Sequence, residues 1–165
     1  MTADMPRSTD AALEGCAITA HLLAADQAGR WLLLRTARDH SRWQFPGGRV
    51  LPGERPREAA QREAAEETGL DLPATDFLIA SWVSGEQRDR IAFLFATRTL
   101  LNPDLQAIKI DGKEVDSWCL VAPEPANLPV HPLLAERLSV INTVGPGQYI
   151  EQRPQKREKR LAPPE

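Results

Sequence analysis

The segment from residue 46 to residue 69 constrains the fold more than any other part of this chain. Its first eight residues, PGGRVLPG, contain three glycines and two prolines, which is too many for a regular helix or strand. Pro56 suits the first position of a helix, and residues 57–68 contain no helix-breaking residue before Gly69. The sequence therefore predicts a tight loop that leads directly into a helix.

Apolar runs on both sides of this loop and helix predict strands. The predicted strands are residues 16–25, 31–36, 77–83, 91–99 and 115–121. A polar turn joins the first two, which predicts a hairpin, and a last helix is expected to begin at Pro132 and to end before Gly145. The order of strands, helix, strands and helix predicts a layered α/β domain.

Length and charge narrow the class of protein. A chain of 165 residues is long enough for one core that needs no disulfide. Cys16 and Cys119 show no metal-ligand spacing, so we expect core residues in a reducing, cytoplasmic location. The net charge of −3 does not favour binding to a nucleic-acid duplex, and no segment has the roughly 18 apolar residues of a membrane helix.

Both ends of the chain lack a core-forming pattern. Residues 1–13 are expected to form a flexible N-terminal arm, and residues 144–165 a basic tail that contains proline and glycine. The domain between them, residues 14–143, would then carry the function. The sequence leaves the oligomeric state open, a homodimer included.

The predicted helix carries Glu63, Glu66 and Glu67 at positions i, i+3 and i+4, which places three carboxylates on one face. Each like-charge neighbour costs roughly 0.2–0.5 kcal/mol, and a hard cation such as Mg²⁺ would relieve that repulsion. The glycine-rich turn would bring backbone amides towards an anion beside the same helix. The alternative is a solvated acidic face in which Arg62 pairs with Glu58 and Glu66.

This segment resembles the Nudix box. The matching residues are Gly48, Glu54, Arg62-Glu63-Ala64, Glu66-Glu67 and Gly69-Leu70, preceded by WQFPGG. The resemblance implies an α/β fold of the Nudix type, an α/β/α sandwich with a mixed β-sheet. Two positions depart from the usual pattern: Ala64 stands where a larger aliphatic residue is usual, and Arg55 is a poor N-cap.

The resemblance also implies an activity: a Nudix hydrolase cleaves the pyrophosphate bond of a nucleoside diphosphate linked to another moiety. It requires Mg²⁺ or Mn²⁺. Carried over by position, the expected metal ligands are Glu63, Glu66, Glu67 and the carbonyl of Gly48. Glu54 and Arg62 would pair to brace the loop against the helix. Which glutamate acts as the general base stays open.

Residues outside the box complete the expected site. Glu114 is the first candidate for a further carboxylate ligand, with Asp116 and Glu86 behind it. Arg35 and Arg42 are candidate contacts for a phosphate, and Trp43, next to Arg42, is a candidate for stacking on a base. Asn127, in PANLPV, resembles a purine-reading residue, since an amide offers a donor and an acceptor together.

The expected substrate is a small nucleotide. Signatures of the other substrate classes are missing, which leaves a nucleoside triphosphate, cut to a monophosphate and pyrophosphate, as the first choice. The alternatives are ADP-ribose, a nucleotide sugar, a dinucleoside polyphosphate, or a non-catalytic Nudix-like module that binds a nucleotide and regulates a partner. Neither a membrane nor duplex nucleic acid is an expected partner.

Overall fold

The computed structural model describes residues 15–85, 88–124 and 127–154. Within those ranges the chain forms strands interrupted by three helices. The elements are β1 (Cys16–Leu23), β2 (Trp31–Thr36), β3 (Trp43–Gln44), β4 (Gly47–Arg49), α1 (Pro56–Thr68), β5 (Phe77–Val83), β6 (Asp89–Ala96), α2 (Asn102–Ala107), β7 (Val115–Val121), α3 (Pro132–Val144) and β8 (Gln148–Gln152).

The strands form two sheets. The larger has five strands in the order β4-β1-β6-β5-β8, and the smaller has three in the order β3-β2-β7. The larger sheet is mixed, because β1 runs parallel to β6 and β5 parallel to β8, while its other pairs are antiparallel. The predicted α/β class and the mixed sheet are confirmed.

The predicted hairpin of β1 and β2 exists only at its turn. There the N–H of Leu32 donates to the carbonyl of Ala24 (2.9 Å). Beyond that point the strands separate, since β1 pairs with β4 and β6 whereas β2 pairs with β3 and β7. This divergence is how one chain supplies both sheets.

Helix α1 packs on one face of the larger sheet through small side chains. Ala59, Ala60 and Ala64 are fully buried in the same cluster as Ala20 and Leu22 of β1. Because these alanine side chains are small, the helix can lie close to the strand. The helix therefore presents its remaining residues to β4 and the loop before it.

Both ends of α1 lie where the sequence predicted. Arg55 is the N-cap, and its N–H donates to the carboxylate of Glu58 (3.0 Å). Gly69 ends the helix in the left-handed conformation (φ 74°), and its N–H donates to the carbonyl of Ala65 (2.8 Å). A glycine favours this conformation because it has no Cβ.

Helix α3 packs on the opposite face of the larger sheet. Its buried Leu138 shares a cluster with Ile79 of β5 and Leu94 of β6. On β6 the next residue, Phe95, belongs to the cluster around α1. Because successive side chains of a strand point to opposite faces, the two helices enclose the sheet between them.

Strand β8 differs from the sequence prediction. Residues 148–152 lie in the predicted tail, yet they pair with β5 in parallel register. Gln152 is only 3% exposed, and its side chain bonds to Arg137, Leu133 and Glu136 of α3. The predicted N-terminal arm, and the tail from residue 155 onward, lie outside the described residues.

Two smaller expectations concern the cysteines and membranes. Cys16 and Cys119 are both free thiols and are half-buried. Among the described residues, no helix has the length and hydrophobicity needed to cross a membrane.

The pairing of β8 predicts how truncation changes stability. Deleting residues 146–165 removes β8 together with three side-chain hydrogen bonds of Gln152. At about 1 kcal/mol for each bond, we expect a loss of about 3 kcal/mol, which corresponds to a fall in Tm of roughly 6–12 °C. Deleting residues 155–165 is the control and is expected to change Tm by less than about 2 °C. Equal Tm values for the two truncated proteins, measured by circular dichroism, would contradict this prediction.

Candidate active site

The site begins where α1 meets β4, whose first two residues, Gly47 and Gly48, have no side chain. Gly47 has a φ of 145°, and a Cβ there would collide with the backbone of Ala20 and His21. A Cβ on Gly48 would lie 2.6 Å from the carboxyl carbon of Glu63 and within 2.9 Å of both carboxylate oxygens. Gly47 is therefore required where β4 lies against β1, and Gly48 leaves the space that the carboxylate of Glu63 occupies.

Glu67 is the most deeply buried carboxylate of the site. It is 3% exposed, and its Oε2 accepts a hydrogen bond from the N–H of Gly47 (2.9 Å). Burial raises the pKa of Glu67 to about 8, against the opposing effect of the Gly47 N–H, and the nearby charges of Glu63, Glu114 and Asp111 add to the rise. No described Lys, Arg or His forms an ion pair with Glu67.

Arg62 holds the loop and the helix together. Its Nε donates to Oε1 of Glu54 (2.8 Å) and its Nη2 to Oε2 of Glu54 (3.0 Å), which is a bidentate ion pair. Nη2 also donates to the carbonyl of Arg49 (3.1 Å). The hydrogen bonds from Arg62 lower the pKa of Glu54. The expected pair of Glu54 and Arg62 is thus present.

Arg62 also contacts the other two carboxylates of the helix. Its Nη1 lies 3.0 Å from Oε1 of Glu63 and 3.3 Å from Oε2 of Glu66. Glu63 is 9% exposed, and burial raises its pKa despite the contact with Arg62. The side chain of Glu66 is 59% exposed.

The arrangement of the carboxylates differs from both sequence expectations. The solvated acidic face is wrong, since Glu63 and Glu67 are buried. Of its two expected ion pairs only that of Arg62 with Glu66 forms, because Glu58 pairs with Arg55 (3.7 Å). The three carboxylates expected on one face do not converge either, because no three acidic, His or Cys side chains of the described residues come together at a metal position. Arg62 draws Glu63 and Glu66 to one side, while the N–H of Gly47 holds Glu67.

The residues nevertheless fit a hard divalent cation. Every donor available is an oxygen, from carboxylates or from the carbonyl of Gly48, and Mg²⁺ and Mn²⁺ prefer such ligands. Burial raises the pKa of both Glu63 and Glu67, so their negative charge is incompletely compensated. A cation bound beside them would supply the missing compensation.

A further loop brings acidic residues to the same place. The carboxylate of Asp111 accepts N–H bonds from Lys113, Glu114 and Val115 (3.0–3.3 Å), which fixes the turn before β7. The charge of Glu114 raises the pKa of both Glu63 and Glu67, so Glu114 lies near them. The structure therefore brings Glu114 close to the helix carboxylates. Asp111 was missed, although an Asp-Gly pair is a recognisable turn signal.

The other two candidate carboxylates do not join the site. Asp116 instead forms an ion pair with Arg35 (2.7 Å) and contacts Nδ1 of His40 (2.6 Å). Glu86 lies outside the described residues.

A cavity of about 530 Å³ opens beside Gly47 and Gly48, between the larger sheet, the β3 segment and α3. Trp43 lines it, as expected of a residue that stacks on a base. Four arginines and two histidines line it as well. They are Arg42, Arg49, Arg90, Arg137, His21 and His131. Among the described residues, no Asp or Glu lines this cavity.

Two predicted substrate residues lie elsewhere. Arg35 does not line the cavity, and its guanidinium lies 5.8 Å from the ring centre of Trp43. Asn127 is exposed and does not line the cavity, and its Nδ2 donates to Glu124 (3.1 Å). The roles assigned to both residues remain predictions.

Arg42 was a candidate phosphate contact, whereas the other three cavity arginines were not predicted from the sequence. Arg49, Arg90 and Arg137 stand on β4, β6 and α3, far apart in the chain, so only the fold brings them together. On β1, His21 lies between the buried Ala20 and Leu22. This alternation could have predicted that the side chain of His21 points to the opposite face of the sheet. Burial and the charges of Arg137 and Arg90 lower the pKa of His21 to about 4.

A family model described as the NUDIX domain matches residues 17–141, which is most of the chain. This chain belongs to the NUDIX family. The matched residues run from β1 to α3, so they contain both the buried carboxylates and the cavity.

Two relatives of this NUDIX family member carry functional names. An RNA pyrophosphohydrolase of Cereibacter sphaeroides is 32% identical over 97 residues, which cover 50% of this chain and 60% of the relative. The Bacillus subtilis protein YtkD, provisionally named an 8-oxo-dGTP diphosphatase, is 40% identical over 60 residues, or 36% of this chain and 37% of the relative. In both cases the match spans less than two thirds of the relative.

Solved structures share the fold. A MutT protein from Methanosarcina mazei superposes with a TM-score of 0.67 at 22% identity, covering 77% of this chain and 93% of that one. An Ap4A hydrolase of C. elegans gives 0.62 at 22% identity, covering 78% and 96%.

Burial of Glu67 predicts a pH-dependent stability in the metal-free protein. Because the pKa of Glu67 is higher in the folded than in the unfolded state, its stabilising contribution is fully present below about pH 4.5. This contribution is lost as the pH rises through about 8. Glu67→Gln removes the charge, so in EDTA we expect the Tm of the variant minus that of the wild type to grow by roughly 5 °C or more between pH 6 and pH 9.

The matched control for that prediction is Glu58→Gln, on the exposed first turn of the same helix. Its Tm difference from the wild type is expected to be constant over the same pH range. A Tm difference for Glu67→Gln that does not change with pH would contradict the buried, uncompensated carboxylate.

Proposed function

We propose that this chain is a divalent-cation-dependent pyrophosphohydrolase whose preferred substrate is a nucleoside triphosphate, cleaved to a monophosphate and pyrophosphate. One observation carries the proposal: the buried carboxylates contact Gly47 and Gly48, and the same two glycines line the cavity. A cation held by the carboxylates would therefore adjoin any nucleotide bound in the cavity.

Glu63, Glu66 and Glu67 would hold Mg²⁺ or Mn²⁺, with Glu114 and the carbonyl of Gly48 as further ligands. When bound, the cation neutralises charge on the diphosphate and lowers the pKa of water. Arg62 keeps the loop in place through Glu54 and the carbonyl of Arg49. A carboxylate of the site accepts the proton of the attacking water.

The cavity supports a nucleotide as the substrate. Its volume of about 530 Å³ suits a small ligand, Trp43 offers a ring for a base, and its arginines attract phosphates. The name of YtkD specifies a nucleoside triphosphate, 8-oxo-dGTP. That name supports a triphosphate ahead of ADP-ribose, nucleotide sugars and dinucleoside polyphosphates.

Asn127 is proposed to contribute to base selection from the segment before α3. That segment lies beside the cavity, because Val130 forms a parallel bridge with Trp43. If Asn127 reads a purine edge, Asn127→Ala lowers the ratio of kcat/KM between purine and pyrimidine triphosphates more than it lowers the best kcat/KM.

A substrate panel with Mg²⁺ tests the proposal. Nucleoside triphosphates, ADP-ribose, nucleotide sugars and dinucleoside polyphosphates are compared by kcat/KM, and the products are identified by chromatography. We expect a triphosphate to give the highest value, with pyrophosphate and not single phosphate released. A higher kcat/KM for ADP-ribose or a nucleotide sugar would reject the proposed substrate while leaving the pyrophosphohydrolase activity intact.

Glu67→Gln tests the role of the carboxylates. We expect kcat to fall about 100-fold or more at saturating Mg²⁺, because the variant loses a ligand to the cation. Glu58→Gln, on the same helix, is the control and is expected to retain wild-type kcat. Hydrolysis of no substrate by the wild-type protein would favour the non-catalytic, nucleotide-binding alternative.

A further inference from the structure

The cavity has a cationic end that the cleavage site does not use. On β6, Leu94 shares a cross-strand row with His21 and Gly47, next to the carboxylates. Arg90 stands four residues earlier on the same strand, which is about 13 Å away at 3.3 Å per residue. The cavity therefore extends well beyond the position expected for the diphosphate.

Arg90 and Arg137 face this end from two different elements. Arg90 lies on the sheet and Arg137 on α3, and both line the cavity. Neither forms an ion pair within the described residues, and the cavity lining there contains no Asp or Glu. Burial, together with the charge of Arg90, lowers the pKa of Arg137 to about 10, so the two like charges lie close to each other.

Gln152 holds Arg137 in this position. Its Oε1 accepts a hydrogen bond from Nε of Arg137 (2.9 Å), and its Nε2 donates to the carbonyl of Leu133 (2.9 Å) and to Oε2 of Glu136 (2.7 Å). Hydrogen bonds to both the amide oxygen and the amide nitrogen therefore hold the side chain of Gln152 in one orientation. The Nε of Arg137 is occupied, while its two terminal nitrogens make no described hydrogen bond and remain for a ligand.

The fold explains why Gln152 lies there. Val83 of β5 pairs with Arg90 on one side and with Gln152 on the other, so the three residues form one row across the sheet. Side chains in such a row point to the same face. Strand β8 thereby places Gln152 beneath α3 and level with Arg90.

We propose that Arg90 and Arg137 form a second phosphate subsite, which binds a phosphate on the ribose side of the substrate, and that Gln152 positions Arg137 for it. This inference rests on the proposed function, because the proposed function places the nucleotide in the cavity. The arginine fork matches phosphate oxygens in a planar, bidentate geometry. The additional phosphate is either a terminal phosphomonoester or the phosphodiester that follows a 5′-terminal nucleotide.

Binding without turnover tests the subsite first. Isothermal titration compares a nucleoside 5′-monophosphate with the same nucleoside 3′,5′-bisphosphate and with a 5′-phosphorylated dinucleotide. We expect the bisphosphate or the dinucleotide to bind the wild-type protein about tenfold more tightly or better, and whichever of the two binds more tightly identifies the phosphate source. Equal affinities for all three ligands would overturn the subsite.

Variants then assign the effect to these residues. Arg137→Met and Arg90→Met should abolish the preference for the additional phosphate, and Gln152→Met should reduce it. Arg153→Met is the matched control, because it removes a positive charge next to Gln152 from a residue that does not line the cavity. A preference that survives in both cavity variants, or disappears equally in Arg153→Met, would overturn the assignment.

Steady-state kinetics separates this inference from the proposed function. With a nucleoside triphosphate and its 3′-phosphorylated form, the additional phosphate should lower KM with little change in kcat, and Arg137→Met should remove that difference. Hydrolysis of both substrates with equal KM by the wild type contradicts the subsite and leaves the proposed function standing. If neither substrate is hydrolysed but arginine-dependent binding persists, the subsite stands and the proposed function fails.

Discussion

The contact of Gly47 and Gly48 with two buried carboxylates is the constraint on which the rest of the site depends. Because Gly48 has no side chain, the carboxylate of Glu63 can lie against its backbone, and the N–H of Gly47 can bond to Glu67. Both carboxylates are thereby removed from water, and their pKa values rise. The same two glycines line the cavity, so the carboxylates of α1 and the cavity lie next to each other at one edge of the sheet.

Opposite charges are kept apart across this edge. On the side of α1 the site is acidic, and the positively charged side chain that contacts its carboxylates is Arg62. On the side of α3 the cavity is lined by arginines without a carboxylate among the described residues. A polyanion with a bound cation is complementary to this distribution, because the cation would meet the carboxylates while the phosphates meet the arginines.

Local sequence signals predicted the elements that depend on local interactions. The loop of residues 46–53 and helix α1 follow from the positions of proline and glycine. Strands β2, β5 and β7 begin and end at the predicted residues. Strand β8 was missed because QYIEQ is largely polar and follows Gly145 and Gly147. It forms by pairing with β5, a tertiary contact that no local pattern reports.

Several residues of the candidate site were named from the sequence, but their arrangement was not predicted. Glu63 and Glu67 continue the ridge of the buried Ala59 at spacings of four, and this signal of burial was missed. The bidentate pair of Arg62 and Glu54 was expected, and the pair of Arg62 and Glu66 was part of the alternative, whereas the contact of Glu63 with the same guanidinium was not expected. The cationic cavity could not be predicted as a whole, because three of its four arginines come from two strands and a helix that only the fold brings together.

The most direct test of this account is Mn²⁺ binding measured by electron paramagnetic resonance. The wild-type protein should bind Mn²⁺ in the absence of nucleotide, Glu67→Gln should lower the affinity about tenfold or more, and Glu58→Gln should bind as the wild type does. Equal Mn²⁺ affinity for Glu67→Gln and the wild type, or no Mn²⁺ binding by the wild type, would contradict the claim that the buried carboxylates of α1 form a cation site.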